Sequence, residues 1–171
     1  MDELQRLIDV YLTRASSSVQ SKLDVLMDLE RVRDRRVVPF LLRVLGDSRE
    51  STDVRIHVLK QLRTGTGILV PSDRPTVANA VGAILADSST EELRLHAALA
   101  LGDFTQMNGV LARLSGIALA GDESIDLRYA AFTSIERTGP TPEGIAALRQ
   151  IARDETLGDA ARSVLSAWHV G

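Results

Sequence analysis

The stretch "DLRYAAFTSI" (residues 126–135) is the clearest copy of a pattern that recurs along the chain. An acidic residue, an apolar residue and an arginine also begin "DVRIHVLKQL" (53–62) and "ELRLHAALAL" (92–101). In each copy, apolar residues follow at the first, fourth and seventh positions after the arginine. Apolar residues three to four positions apart are typical of one face of an α-helix. Each copy is therefore predicted to be a helix with a buried apolar face, on which Tyr129 and Phe132 would lie.

The copies are evenly spaced, which indicates an internal repeat. The arginines are Arg55, Arg94 and Arg128, and weaker copies are centred on Lys22 and Ala161. Successive reference positions are 33, 39, 34 and 33 residues apart. This period is typical of helical hairpins that stack on one another, because one hairpin cannot bury its apolar face alone.

Helical segments between the copies supply the first helix of each hairpin. The expected first helices are 2–14, 37–47, 74–87, 108–122 and 141–154. The five expected hairpins are approximately 1–33, 34–65, 74–104, 107–139 and 140–171, with a longer loop at 63–75. No useful length of the chain alternates like a strand, so an all-α fold in a single repeat domain is predicted.

Cap residues mark several of the predicted boundaries. Thr141 precedes Pro142, so the threonine can cap a helix whose first position is proline. Ser124 and Thr156 are expected to cap two second helices, and Ser89 is expected to form a capping box with Glu92. Gly65, Gly102 and Gly139 fall near helix ends, where a left-handed residue is common.

Composition restricts the classes of function. The 171 residues carry a formal net charge of −3, whereas nonspecific nucleic-acid binding usually shows as a basic excess. The chain has no cysteine, which excludes disulfides, zinc–thiolate sites and cysteine nucleophiles. No apolar run approaches the ~20 residues of a membrane span, and the first residues do not resemble a signal peptide. A cytoplasmic location is expected.

The hairpin period, an aspartate at the turn and the acidic–apolar–arginine start of the second helix together resemble the HEAT repeat. The similarity is strongest to the bacterial HEAT-like repeats also found in phycobilin lyases, and it covers essentially the whole chain. The resemblance implies a right-handed α-α superhelix, an armadillo-type α-solenoid. It also implies a ladder in which turn aspartates and second-helix arginines join neighbouring repeats. The matching residues are Asp47, Arg55, Asp87, Arg94, Asp122 and Arg128.

The two ends of the chain depart from the repeat pattern. Lys22 stands where the first arginine would be, and Ala161 stands where the last would be, although Asp154 keeps the turn position. Terminal repeats have fewer neighbours to join, so such departures are expected of capping repeats.

Because solenoids of this kind have many roles, the resemblance leaves function open. The leading interpretation is a non-catalytic scaffold that binds another protein on its surface, without catalytic, cofactor or metal residues. HEAT-like folds also include chromophore lyases and DNA glycosylases, so an enzyme subunit is the alternative. A glycosylase needs a basic groove and aromatic residues near the flipped base, which the mild acidity and the six aromatic residues do not favour.

Three features are candidates for partner binding. The segment "ERVRDRR" (30–36) carries four arginines that can grip an acidic partner or pair within the turn. The longer loop contains three consecutive apolar residues that must pack on this chain or on another. Trp168 has no following repeat to cover it, so it marks either a weak self-association surface or a simple capping helix. The residues concerned are Arg31, Arg33, Arg35, Arg36, Ile68, Leu69, Val70 and Trp168.

One pair of residues has the spacing of a chemical site. Glu92 and His96 are four residues apart, and His57 shares the register of His96 within its own copy. A metal site would need a third ligand, which the sequence does not indicate. The pair is therefore interpreted as part of the repeating helix rather than as an active site.

Overall fold

A computed structural model describes residues 2–13, 18–63, 69–87 and 90–170, and every regular element in them is helical. The prediction of an all-α fold is confirmed for this part of the chain. Two short 3₁₀ segments, Pro71–Asp73 and Leu101–Asp103, accompany the α-helices. The α-helices are α1 (Glu3–Leu12), α2 (Val19–Val32), α3 (Val37–Gly46), α4 (Thr52–Arg63), α5 (Arg74–Asp87), α6 (Glu91–Ala100), α7 (Val110–Leu119), α8 (Ile125–Glu136), α9 (Pro142–Ile151) and α10 (Gly158–Ala167).

The chain divides into two compact units, Met1–Ala80 and Val81–Gly171. In the first unit α1 packs on α2, α3 packs on α4, and α2 packs on α4. In the second unit α8 packs on α6, α7 and α9, and α9 packs on α7 and α10. Each core is mainly aliphatic, as the low aromatic content predicts, although Phe104 is fully buried in the second unit.

The buried stripe of the second helices differs from the predicted one. The residue before each arginine is fully buried in all three clear copies, as Val54, Leu93 and Leu127. The positions three, four and seven after the arginine are also buried. At ~100° per residue, the position directly after the arginine lies more than about 100° from the centre of that stripe. The prediction that Tyr129 belongs to the core is wrong, because its side chain is 43% exposed, although Ile56 at the same position of α4 is buried.

Two predicted caps are confirmed. The Thr141 hydroxyl accepts a hydrogen bond from the Gly144 N–H at 3.0 Å, and Pro142 opens α9. The Ser124 hydroxyl accepts from the Leu127 N–H at 3.2 Å. Gly139 has the left-handed backbone expected at a helix end, with φ of +80°.

The cap of α10 is not the predicted threonine. The Asp154 carboxylate instead accepts hydrogen bonds from the backbone N–H groups of Thr156 and Leu157, both at 2.8 Å. A carboxylate placed two and three residues before these N–H groups reaches both of them, so the Thr156 hydroxyl has no capping role. Gly102 lies in a 3₁₀ segment, while Ser89 and Gly65 lie outside the described residues.

Candidate functional site

The arginine of each clear copy reaches back to the end of the preceding helix. Its Nε–H donates to a backbone carbonyl there, from Arg55 to Leu45, from Arg94 to Leu85 and from Arg128 to Ala118, at 2.8–2.9 Å. The last carbonyls of a helix have no partner within the helix, so each arginine satisfies one of them. The repeated arginine is thus a link between the two helices of one hairpin.

The same contact corrects the register of the last copy. Arg162 donates from Nη1 to the carbonyl of Ala152, at the end of α9, as its counterparts do in the other hairpins. The residue equivalent to Arg128 is therefore Arg162, one position after Ala161. The sequence pattern missed it because the first, fourth and seventh positions after Arg162 are Ser163, Ser166 and His169, none of which is apolar.

Ion pairs connect consecutive hairpins within each unit. Lys22 lies 2.9 Å from Glu50, Arg94 lies 2.8 Å from Glu123, and Arg128 lies 2.9 Å from Asp154, measured between nitrogen and oxygen. In each pair the carboxylate belongs to the turn of the next hairpin. These pairs have the arrangement that the expected ladder requires, but only Asp154 among the carboxylates is a turn aspartate of the pattern.

The other turn aspartates face elsewhere. Asp47 pairs with Arg49 at 3.1 Å, and Asp87 and Asp122 are exposed. In two turns a glutamate takes the place of the predicted aspartate. Glu50, after Asp47, pairs with Lys22, and Glu123, after Asp122, pairs with Arg94. Among the described residues Arg55 forms no ion pair. Burial lowers its pKa, and the charges of Asp47 and Glu50 partly offset that effect.

A buried polar cluster forms around Glu50 in the first unit. Its carboxylate accepts hydrogen bonds from the Tyr11 hydroxyl at 2.6 Å, from the Lys22 ammonium at 2.9 Å and from the Ser51 N–H at 3.0 Å. Burial raises the pKa of Glu50, but these hydrogen bonds outweigh burial and leave the pKa below its ordinary value. Burial, together with the carboxylate of Glu50, raises the pKa of Tyr11.

The basic run is largely paired within the first unit. Arg31 pairs with Asp28 at 3.2 Å, and Arg36 pairs with Asp34 at 2.6 Å and with Asp2 at 2.9 Å. Arg33 ends α2 in a left-handed backbone conformation with φ of +52°. Arg33 and Arg35 are exposed and form no ion pair with a described residue. Two of the four arginines thus have no ion-pair partner among the described residues.

The remaining predicted partner-binding residues that the structure describes are partly buried. Leu69 and Val70 lie directly before the 3₁₀ segment of the first unit, and Ile68 lies outside the described residues. Trp168 follows the last residue of α10 in the second unit.

Four apolar side chains on second helices are exposed, and one of them, Tyr129, was predicted to be buried. In α8 they are Ile125, 45% exposed, and Tyr129, 43% exposed, and in α2 they are Val19 and Met27. Counted from the repeat reference positions Lys22 and Arg128, Val19 and Ile125 occupy the same register. For Ile125 and Tyr129, the sequence signal is their four-residue spacing, which places both on the side of α8 opposite the buried stripe.

The histidines do not assemble into a metal site. His57 Nε2 lies 3.5 Å from Glu30 Oε1, and His96 and Glu92 lie on α6, where Glu92 is exposed. The described ranges contain no group of three or more His, Asp or Glu side chains placed to hold one ion. None of the helices described combines the length and the apolar character that crossing a membrane requires.

Comparison with known proteins gives the chain no relatives. No family model, no curated protein and no solved structure matches it.

Proposed function

We propose that the chain is a HEAT-like α-solenoid protein that binds another protein and catalyses no reaction. The recurring arginine–carbonyl link supports the repeat, because it joins the two helices of a hairpin in both units. The ion pairs from one hairpin to the next also support it, since solenoid repeats are stabilised mainly by their nearest neighbours.

The exposed apolar residues of the second helices carry the proposal of partner binding. Of the five large hydrophobic residues that are exposed in the described ranges, four lie on α2 or α8, and the fifth is Leu12. Ile125 and Tyr129 are four residues apart, so they are neighbours on one helical face. Apolar side chains grouped on one surface mark interaction sites, and tyrosine is enriched in the energetic centres of interfaces.

The Tyr129 side chain is positioned by a contact with the core. Its ring packs edge-on against Phe132, with 6.3 Å between the ring centres. Phe132 is buried, so the tyrosine rests on the core and loses little conformational freedom on binding. The partner surface is expected to be apolar with hydrogen-bonding groups for the tyrosine hydroxyl. Ile125 and Tyr129 together form what we call the second-helix surface.

Affinity capture after crosslinking in intact cells tests the proposal. The bait is the full chain, and the comparison is the double variant Ile125→Gln/Tyr129→Gln, with Glu155→Gln as a matched exposed control. We expect a protein that is recovered with the wild type and with the control but is lost with the double variant. Equal recovery with all three baits would remove the second-helix surface from the proposal, and recovery of no partner would remove the binding function itself.

A further inference from the structure

A groove lies between α7 and α9 in the second unit, and the described residues leave it unfilled. It encloses about 920 Å³, and its lining comes from the two helices, from residues 105–109 and from the turn 138–141. Ligand sites in proteins commonly occupy ~300–1,000 Å³. Ala112 and Gly116 form part of one wall, and Ala146 and Ala147 form part of the other. These small residues leave space between the two helices, and larger residues such as Leu111, Leu119 and Gln150 complete the lining.

Gly116 leaves open space on the α7 wall of the groove. It lies in the middle of α7, is exposed, and a Cβ placed there would meet no atom within 4 Å. The comparable spaces above Gly82 and Gly144 are taken by the Arg113 guanidinium and the Gly139 carbonyl. A glycine inside a helix is less stable than an alanine there. Among the described residues, no atom fills the space above Gly116.

Hydroxyl groups line the groove without hydrogen-bond partners among the described residues. Thr105 is 8% exposed and Ser115 is 9% exposed, and neither side chain forms a hydrogen bond with a described residue. The hydroxyl oxygen of Thr138 is buried and also has no such partner. Buried hydroxyls are normally paired. A bound polar group that reaches Thr138 would supply the missing hydrogen bond.

The groove lining favours a ligand in which free hydrogen-bond donors and acceptors alternate. Besides the hydroxyls, the groove presents the side-chain amides of Gln106, Asn108 and Gln150. Hydroxyl and amide side chains both donate and accept hydrogen bonds. The backbone of an extended peptide offers N–H and C=O groups in turn, whereas a helix satisfies its own backbone internally. The lining therefore suits an extended segment rather than a helix.

The length and the charge of the groove indicate the size and the charge of the ligand that fits it. The α7 wall runs from Leu111 to Leu119, about 12 Å at 1.5 Å per helical residue, which matches about four residues of extended chain. Glu143, in the first turn of α9, is the one ionisable residue among those lining the groove in the described ranges. We infer that this groove is a binding site for a short extended peptide segment with a lysine or arginine that pairs with Glu143.

This site is separate from the second-helix surface, because it is built from first helices and their adjoining turns. A phage-displayed library of random linear peptides, selected in parallel on the immobilised full chain and on its Gly116→Leu variant, supplies the probe. Leucine at this exposed helical position fills the groove without meeting a neighbouring atom at Cβ. Circular dichroism melting of each variant verifies that it folds.

Fluorescence anisotropy of the enriched peptides then measures Kd for each variant. We expect Kd to rise about tenfold or more with Gly116→Leu, a loss typical of a blocked central contact. We also expect enriched peptides to carry Lys or Arg and to lose affinity with Glu143→Gln. Ile125→Gln/Tyr129→Gln should leave Kd unchanged, which separates this inference from the proposed function.

Three results would overturn the inference. The first is that no peptide is enriched on the wild type relative to Gly116→Leu. The second is that enriched peptides bind Gly116→Leu or Glu143→Gln as tightly as the wild type. The third is that isotope-edited NMR shows a bound peptide in a helical conformation, which would assign the groove to an amphipathic helix instead.

Discussion

At the scale of single residues, Glu50 shows how a buried charge is held in this fold. Three donors converge on its carboxylate, and the Lys22 ammonium also lies 5.6 Å from the centre of the Tyr11 ring. Tyr11 in turn packs edge-on against Phe40, with 5.2 Å between ring centres. The carboxylate therefore joins the first hairpin to the turn of the second.

Replacing this carboxylate is expected to destabilise the first unit. Glu50→Gln keeps the size of the side chain but weakens charge-assisted hydrogen bonds from Lys22 and Tyr11, so we expect a loss of about 1–3 kcal/mol in the free energy of unfolding at pH 7. The pKa of Glu50 is lower in the folded chain than its ordinary value of 4.5. The stabilisation is thus fully present above pH 4.5 and is lost as the pH falls through the lower, folded pKa.

Denaturant unfolding at a series of pH values measures this difference. The gap between wild type and Glu50→Gln should narrow below pH 4.5, while the exposed control Glu155→Gln should show no such gap. A gap that stays constant down to pH 2.5 would show that the hydrogen-bonded cluster is not the source of the stability.

At the scale of helices and turns, helix caps can be predicted from the sequence, whereas ion pairs between hairpins cannot. The caps at Ser124 and Thr141 depend on residues three positions apart, so the sequence predicts them. The partner of Arg94 is decided by how one turn presents Asp122 and Glu123 to the preceding hairpin, which residue spacing does not reveal. Tyr129 was misplaced for the same reason, because its exposure depends on packing around α8.

The turn before α10 gives the clearest test at this scale. Asp154 accepts two backbone N–H groups and pairs with Arg128, so Asp154→Ala should cost about 1–2 kcal/mol of stability. Thr156→Ala removes an exposed side chain that caps nothing, so it should change stability by less than about 0.5 kcal/mol. Thermal unfolding of both variants checks this order, and equal losses would contradict the assignment of the cap to Asp154.

At the scale of the whole molecule, the arginines that recur in the sequence are used for structure. The arginines bind carbonyls and carboxylates within each unit, so they leave function to the residues that differ between hairpins. Ile125 and Tyr129 are such residues, because the corresponding positions of α4 are Thr52 and the buried Ile56. A pattern built from shared positions could not identify a surface made of unshared ones.

Position-specific photo-crosslinking in intact cells is the most direct test of the proposed partner-binding surface. A benzophenone amino acid replaces Tyr129 in one form of the chain and Glu155, an exposed residue of the α9–α10 turn, in another. We predict that irradiation joins one defined protein to the chain labelled at position 129 and not to the chain labelled at 155. No adduct at 129, or the same adducts from both positions, would contradict a partner-binding surface on α8.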